Sequence, residues 1–132
     1  TSQALWQQVR DARWLAEPRN EAIWRVSVPA DRAPDFIAAV SAKRPIRPLL
    51  DWGGGLIWLA TSSATLAGSD LIRAETAKAR GHAMLVRASE GTRGMAGVFE
   101  PQPEAVMRLS DGIKKSFDPD RVFNPGRLYA GM

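Results

Sequence analysis

The sequence of 132 residues contains no cysteine, and its only histidine is His82. Without cysteine the chain can form no disulfide, offers no thiol nucleophile and cannot ligate an iron–sulfur cluster. One histidine by itself makes no metal site. Any electron carrier that the protein works with must therefore be held elsewhere.

Long apolar runs are also missing. No uninterrupted apolar stretch reaches the roughly 18 residues that a membrane-spanning helix needs, and no basic segment followed by an apolar stretch opens the chain. The sequence thus predicts neither a membrane span nor a secretion signal. It begins with Thr1 rather than Met, from which we expect a piece of a longer protein.

Charge of one sign is not concentrated anywhere. The formal net charge is +4, but acidic residues are interspersed with the basic ones, and only Lys43-Arg44 and Lys114-Lys115 are adjacent basic pairs. Nucleic-acid-binding proteins typically carry a basic cluster or stripe, so that class is not favoured. At 45% hydrophobic residues, a chain of this length can bury a core, and we expect residues 1–132 to form a single domain.

The spacing of apolar residues predicts an ordered series of helices and strands. Gly53-Gly54-Gly55 is typical of a tight connection between two strands, because glycine accepts positive φ angles. The glycine-containing segment 89–97 predicts a loop that is either mobile or shaped by contacts outside this chain. The predicted elements are a helix 3–15, a strand 23–28, a helix 31–44, strands 47–52 and 56–61, a helix 69–80, a strand 82–87 and a helix 103–117.

The order β-α-β-β-α-β predicts an α+β fold of the ferredoxin-like type, with additional N- and C-terminal helices. We expect Asp31 to cap the second helix, Ser69 or Asp70 to cap the third, and Gly81 to end it. Two helices cover one face of such an antiparallel sheet and leave the other face open. Arg25 lies on the open face if Trp24 packs under the helices.

Four sequence motifs resemble those of a known family. The tail 117–129, Phe-Asp-Pro-Asp-Arg-Val-Phe-Asn-Pro-Gly-Arg-Leu-Tyr, is similar to the C-terminal signature of FAD-linked oxidases of the vanillyl-alcohol-oxidase type. Trp-Arg-Val-Ser-Val-Pro at 24–29, Asp-Trp-Gly-Gly at 51–54 followed by Trp58, and Gly-His-Ala at 81–83 narrow the resemblance to the E subunits of bacterial glycolate oxidases. It covers essentially the whole chain and corresponds to the last third of such a subunit.

The resemblance implies a part in the oxidation of glycolate, a 2-hydroxy acid, to glyoxylate, with the 132-residue chain inactive by itself. FAD is expected in the whole subunit, bound mainly by an N-terminal domain that this chain lacks. The present domain would pack against that domain on the substrate side. A related flavin-containing D subunit and an iron–sulfur F subunit would complete the complex, in the cytoplasm or, through the complex, at the inner membrane.

The resemblance also marks two departures. Family members tend to carry glycine where this chain has Arg80, so the loop before His82 is expected to follow a different path. Relatives that hold a catalytic metal in this domain carry several histidines, and this chain carries one. We therefore expect no metal site of that kind.

The tail residues Asn124, Pro125, Gly126 and Arg127 are the candidate cofactor-binding residues. Pro125 fixes φ, and Gly126 lets the backbone approach a planar partner closely. By the family resemblance this turn returns toward the flavin. The alternative is a turn that leaves the helix and only docks the chain terminus.

Arg25 and, on a weaker argument, Arg87 are candidate ligands of a substrate carboxylate, since a guanidinium matches its two oxygens. An interface salt bridge or a solvated charge is the alternative. His82 is a weak candidate for a general base, and a structural hydrogen bond is its alternative role. Asp51 is expected to bond turn amides, and Trp52 to pack in the core.

A competing function is a ferredoxin-like binding module for RNA or a small ligand, without a redox role. In RNA-recognition domains, aromatic residues on the two central strands stack on bases. Trp24 and Trp58 have suitable positions in the sequence, but the strand 56–61 lacks the basic-glycine-aromatic pattern of that class. Neither kind of module explains the tail.

Overall fold

The computed structural model describes residues 1–129 and 131 of the chain. The chain divides into two compact units, Thr1–Val98 and Phe99–Met132. The first unit holds a β-sheet with its flanking helices, and the second holds one long helix and the tail that follows it.

Helices and strands occur close to the predicted positions. The first unit contains helices α1 (Ser2–Arg10), α2 (Arg13–Ala16), α3 (Ala33–Ser41), α4 (Ser69–Lys78) and α5 (Glu90–Ala96). Its strands are β1 (Glu21–Ser27), β2 (Ile46–Asp51), β3 (Leu56–Ser62) and β4 (His82–Arg87). Short 3₁₀ turns lie at Ala30–Arg32, Trp52–Gly54 and Leu66–Gly68, and the second unit contains α6 (Glu104–Phe117).

The four strands form one antiparallel sheet in the order β2-β3-β1-β4. Strands β1 and β3 pair along their whole length, from Glu21 opposite Ser62 to Ser27 opposite Leu56. With α3 between β1 and β2 and α4 between β3 and β4, this is the ferredoxin-like arrangement. The prediction of an α+β fold with the first and third strands adjacent is confirmed.

Neither edge strand of the sheet presents a complete row of free backbone N–H donors. On β2, Pro48 has no backbone N–H to offer a further strand. On β4, the N–H of Leu85 donates to the carbonyl of Val98 at 2.8 Å. Each edge therefore has at least one backbone donor missing or already used.

One face of the sheet forms the core with α3 and α4. Trp24 is fully buried there, in one cluster with Phe36 of α3 and Ile72 of α4. Its indole N–H donates to the carbonyl of Ala67 at 3.0 Å, so that the buried polar atom has a partner. Other fully buried members of the cluster are Val26, Val40, Ile57, Leu59 and Leu85.

The predicted helix 3–15 is two helices. Ala12 has a φ of +45° and stands between α1 and α2, where the helical path breaks. Helix α1 buries none of its residues, whereas Leu15 of α2 is buried with Ile23 and Ala60 on the second face of the sheet. The break turns Leu15 onto that face, which a straight amphipathic pattern does not predict.

The segment 89–97 contains helix α5 with its two caps, and the prediction of a loop was wrong. Ser89 caps α5 by accepting a hydrogen bond from the N–H of Thr92 at 3.2 Å. Thr92 and Ala96 are buried, and Gly97 ends the helix with a φ of +71°. Capping and burial together offset the low helix propensity of the glycines.

Helix α4 ends at a left-handed residue, but this residue is Arg80 and not Gly81. Arg80 has a φ of +57°. The N–H of Gly81 then donates back to the carbonyl of Thr76 at 2.9 Å, the longer-range bond of a Schellman motif. Position 80 thus holds a non-glycine residue in the conformation that favours glycine, and a different path of the loop before His82 stays a prediction.

Several turn roles differ from those predicted. Asp31 does not cap α3, and neither Ser69 nor Asp70 caps α4, which begins after a left-handed Gly68. Asp51 accepts a hydrogen bond from the N–H of Trp52 at 2.8 Å, as expected for a turn. The Trp52 side chain is 75% exposed and is not part of the core.

Candidate functional site

The candidate site is the second face of the sheet, opposite α3 and α4. Because side chains alternate along a strand, Ile23, Arg25 and Ser27 of β1 point to this face while Trp24 and Val26 point to the core. Arg25 stands between Trp58 of β3 and Met84 of β4. We call this surface the open face.

Helix α2 covers one end of the open face. Leu15 packs with Ile23 and Ala60, and the partly buried Leu49 and Trp58 contact the same cluster. Beside it lies a cleft of about 650 Å³. Its apolar walls include Val9, Trp14, Leu15, Ile23, Trp58 and Val86. The open face is thus apolar at one end and carries Arg25 on the next part of β1.

Arg87 holds α2 and the turn after it against the sheet. Its guanidinium donates to the backbone carbonyls of Leu15, Ala16, Pro18 and Glu21, at 2.8 to 3.2 Å. A β-bulge between Ile23 and Trp24 shifts the register of β4, so that Arg87 comes opposite Ile23. Its donors are directed at the protein's own backbone, which favours a structural role over a substrate contact.

Arg47 of β2 holds the same segment from the other side, and sequence reasoning missed it. It donates to the carbonyls of Trp14 at 2.8 Å and Glu17 at 2.9 Å, and it pairs with the carboxylate of Glu21. The sequence signal was only an arginine on a predicted strand. Nothing in the spacing indicated which carbonyls it would meet.

Arg25 and His82 lie together on the open face. Arg25 is opposite Met84 and Ser27 is opposite His82, so Arg25 and His82 are diagonal neighbours on adjacent strands. Diagonal neighbours of this kind have Cα atoms about 7–8 Å apart, within reach of long side chains. Within residues 1–129 and 131, neither side chain makes a hydrogen bond or an ion pair. A half-buried guanidinium beside an exposed imidazole can bind a carboxylate and accept a proton.

The tail forms a turn within the second unit. Asn124 has a φ of +46° and Gly126 a φ of +69°, and the N–H of Arg127 donates to the carbonyl of Asn124 at 3.2 Å. Pro125 lies between them, and all four residues are exposed. In the described part of the chain the side chains of Asn124 and Arg127 have no polar partner, so their donors are available to a ligand or a neighbouring domain.

Among the described residues, Gly68 lies in a strand-to-helix connection, where it is buried beneath the side chain of Arg44. No group of three His, Cys, Asp or Glu residues with metal-ligating geometry occurs in this part of the chain. Nor does any helix there have the length and apolarity to cross a membrane.

The structure does not favour the RNA-binding alternative. Trp24 is fully buried under the helices and cannot stack on a base. On the open face, β1 presents Arg25 between Ile23 and Ser27. Of the aromatic residues on the two central strands, Trp58 alone points to this face. The paired aromatic platform of an RNA-recognition sheet is therefore not formed.

The open face of the ferredoxin-like sheet thus combines an apolar cleft with an unpaired arginine, a combination typical of a binding surface. A characterised protein is similar to this chain in sequence. Over 128 residues, 97% of this chain, the sequence is 33% identical to the glycolate oxidase subunit GlcE of Escherichia coli (strain K12).

The chain spans about a third, 32%, of the length of GlcE. The resemblance to glycolate oxidase E subunits that the sequence motifs indicated is confirmed, and the chain is related to GlcE along almost all of its own length. No family model and no solved structure matches the chain.

Proposed function

We propose that this chain forms the substrate-side part of an FAD-linked subunit that oxidises glycolate, or a close 2-hydroxy acid, to its 2-oxo acid within a multi-subunit complex. The observation that carries the proposal is the similarity to glycolate oxidase subunit GlcE over nearly the whole chain. In this proposal residues 1–132 correspond to the C-terminal third of such a subunit.

FAD would be held mainly by a domain outside this chain. Buried Gly68 leaves no open glycine turn at the start of α4 to receive a pyrophosphate. Asn124, Pro125, Gly126 and Arg127 fit a contact at the edge of the cofactor, because the turn is exposed and its side-chain donors lack partners in the described residues. When bound, the flavin supplies the acceptor for the two electrons that leave the alcohol carbon.

The open face would supply the substrate contacts. Arg25 would bind the glycolate carboxylate through paired N–H donors. His82, its diagonal neighbour, would accept the hydroxyl proton as the alcohol carbon becomes a carbonyl. Arg87 would support this site by holding α2 in place, since its guanidinium donates to the backbone of residues 15–21.

The proposal includes further subunits. The N-terminal FAD domain would pack against this chain. A flavin-containing D subunit and an iron–sulfur F subunit would carry electrons onward, because this chain has no cysteine with which to hold a cluster. The complex would work in the cytoplasm, at the inner membrane if its other subunits bring it there.

The test uses the longer subunit, with its flavin domain, assembled with the D and F subunits. Reduction of an acceptor dye is measured with glycolate, with both lactate enantiomers, and with 3-hydroxypropionate as a substrate whose hydroxyl lies one carbon too far away. The proposal expects turnover of one or more 2-hydroxy acids and none of 3-hydroxypropionate. Absence of turnover with every 2-hydroxy acid, in a complex that contains flavin, would contradict it.

Arg25→Ala provides the residue-level test, and Arg19→Ala is its control because Arg19 is an exposed arginine that pairs with Glu17 and lies on no strand of the sheet. Loss of a charged hydrogen bond of about 1.5–3 kcal/mol corresponds to a roughly 10- to 100-fold rise in KM for glycolate. Arg25→Lys should restore part of the loss. Equal KM values in Arg25→Ala and Arg19→Ala would remove Arg25 from the substrate site.

A further inference from the structure

The turn that carries the candidate cofactor contacts is held by one buried carboxylate. The Asp118 side chain is 7% exposed. Its oxygens accept hydrogen bonds from Lys114 Nζ at 2.6 Å, from the N–H of Val122 at 2.8 Å and from the N–H of Phe123 at 3.0 Å. We call Asp118, Lys114 and the backbone of Val122 and Phe123 the tail clasp.

Lys114 closes the tail clasp from the helix side. Its ammonium group donates to Asp118 and also to the carbonyl of Phe123 at 2.9 Å. Both backbone groups of Phe123 are therefore bound, the N–H by Asp118 and the carbonyl by Lys114. Phe123 immediately precedes Asn124, so the clasp fixes the direction in which the turn 124–127 leaves α6.

The described part of the tail is not held in place by buried apolar side chains. Phe117, Val122, Phe123 and Leu128 are half to mostly exposed, and α6 has no buried residue. The other tethers of the tail lie at different points. Arg121 donates to Asp111 and to the carbonyl of Gly131, and Tyr129 contacts the ring of Phe99. The contacts at residues 122 and 123, next to the turn, are those of the clasp.

We propose that Asp118, acting with Lys114, is a positioning residue that presents Asn124 to Arg127 to the cofactor. Asp118 does not touch the cofactor itself. This inference rests on the proposed function, in which the turn is the cofactor contact. The carboxylate at the end of α6 would hold the turn in its binding conformation before the cofactor binds. Less conformational entropy is then lost on binding.

The first experiment tests the clasp in the 132-residue chain by amide hydrogen exchange. Asp118→Asn removes the charge, and Lys114→Met removes the second partner if Asp118→Asn folds poorly. Glu104→Gln is the matched control, because it breaks an exposed i,i+4 pair, Glu104–Arg108, on the same helix. We expect exchange at Val122 and Phe123 to become at least about tenfold faster in the clasp variants, with β1 amides unchanged.

The second experiment measures FAD affinity of the longer subunit, with the flavin absorption spectrum as an additional signal. Asp118→Asn and Lys114→Met should weaken FAD binding roughly tenfold, Lys114→Arg should restore most of it, and Glu104→Gln should have no effect. Unchanged exchange at Val122 and Phe123 in both clasp variants would overturn the clasp itself.

Variants of the turn separate this inference from the proposed function. Asn124→Ala and Arg127→Ala should weaken FAD binding if the turn is a cofactor contact. If they do so while Asp118→Asn and Lys114→Met do not, the positioning role is wrong and the proposed function stands. If none of the four variants changes FAD affinity, the turn is not a cofactor contact, and that part of the proposed function falls together with this inference.

Discussion

Gly81 lies against the backbone of Ser27, and a β-carbon at position 81 would come within 2.2 Å of the Ser27 carbonyl oxygen. The same β-carbon would be 2.6 Å from a methyl group of Val28. The entry into β4 therefore approaches β1 more closely than any side chain allows. Glycine is required here for space and not for a positive φ angle.

Gly81→Ala is expected to destabilise the chain by about 2–4 kcal/mol, because the obstructing atoms are backbone and a buried side chain that cannot move cheaply. Urea unfolding of the 132-residue chain measures this. Gly94→Ala is the control, since its β-carbon would meet nothing within 4 Å and α5 should gain about 0.5–1 kcal/mol. Similar free energies of unfolding for both variants would contradict the packing argument.

Arg80→Gly is expected to stabilise the chain. The left-handed φ of +57° costs a non-glycine residue about 1–2 kcal/mol, and glycine avoids this cost. Glycine also has more freedom in the unfolded chain, which takes back about 0.5–1 kcal/mol of the gain. A net gain of about 0.5–1 kcal/mol should appear as a higher midpoint of urea unfolding. Arg80→Ala, which keeps a β-carbon, should show no such gain, and a gain of equal size there would point to the charge instead.

Arg87→Met should loosen α2, while Arg25→Met should not. Removing four hydrogen bonds to the carbonyls of residues 15–21 is expected to cost about 1–3 kcal/mol and to speed amide exchange in that segment. Arg25 lies on the same face without such bonds, so its replacement should change stability by less than about 0.5 kcal/mol. A large loss in Arg25→Met would place Arg25 in the structural network.

The tail clasp should open in acid. The pKa of Asp118 lies below its ordinary value of 3.8, chiefly because Lys114 donates to the carboxylate, against the opposing effect of burial. Backbone donors at Val122 and Phe123 lower this pKa further. Since the folded-state pKa is lower than the unfolded one, the stabilisation is complete above the ordinary value and is lost as the pH falls through the folded-state value.

Amide exchange or chemical shifts at Val122 and Phe123, followed from about pH 6 to about pH 2, measure this opening. The transition should lie below the range of an unperturbed aspartate and should vanish in Asp118→Asn. A transition that persists in Asp118→Asn would belong to another carboxyl group, such as that of Asp111, which pairs with Arg121 of the tail.

The 132-residue chain by itself is expected to bind neither FAD nor glycolate measurably. The turn 124–127 offers only a one-sided, exposed contact, which does not offset the freedom that FAD loses on binding. Calorimetric titration or flavin fluorescence tests this directly. Saturable binding at micromolar FAD would mean that the cofactor site lies largely within this chain.

Much of the fold follows from alternation and spacing in the sequence. The strand that contains Trp24 and Arg25 was predicted with the correct faces, because apolar residues recur at every second position. The position of Arg87 was not predictable, since a β-bulge, which no pattern in the sequence marks, brings it opposite Ile23. The helix α5 was missed because a Ser89 cap and the burial of Thr92 outweigh two glycines.

The candidate site was predictable only in part. Arg25 on the open face follows from strand alternation, but its neighbour His82 follows only from the pairing of β1 with β4, which joins residues far apart in sequence. The tail clasp was not predicted either, although Lys114 and Asp118 stand one helical turn apart. An i,i+4 pair is usually a solvated surface pair, and only the path of the following loop shows that this one is covered.

The protected edges of the sheet restrict the direction from which another polypeptide can approach. Pro48 interrupts the row of backbone N–H donors on β2, and the N–H of Leu85 on β4 already donates to the carbonyl of Val98. Both edges are therefore poorly suited to backbone pairing with a further strand. Under the proposed function, the flavin domain would then dock through side chains on the broad surface of the sheet. An added segment along the outer edge of β2 or β4 should be tolerated, whereas a bulky side chain beside Arg25 should block that docking.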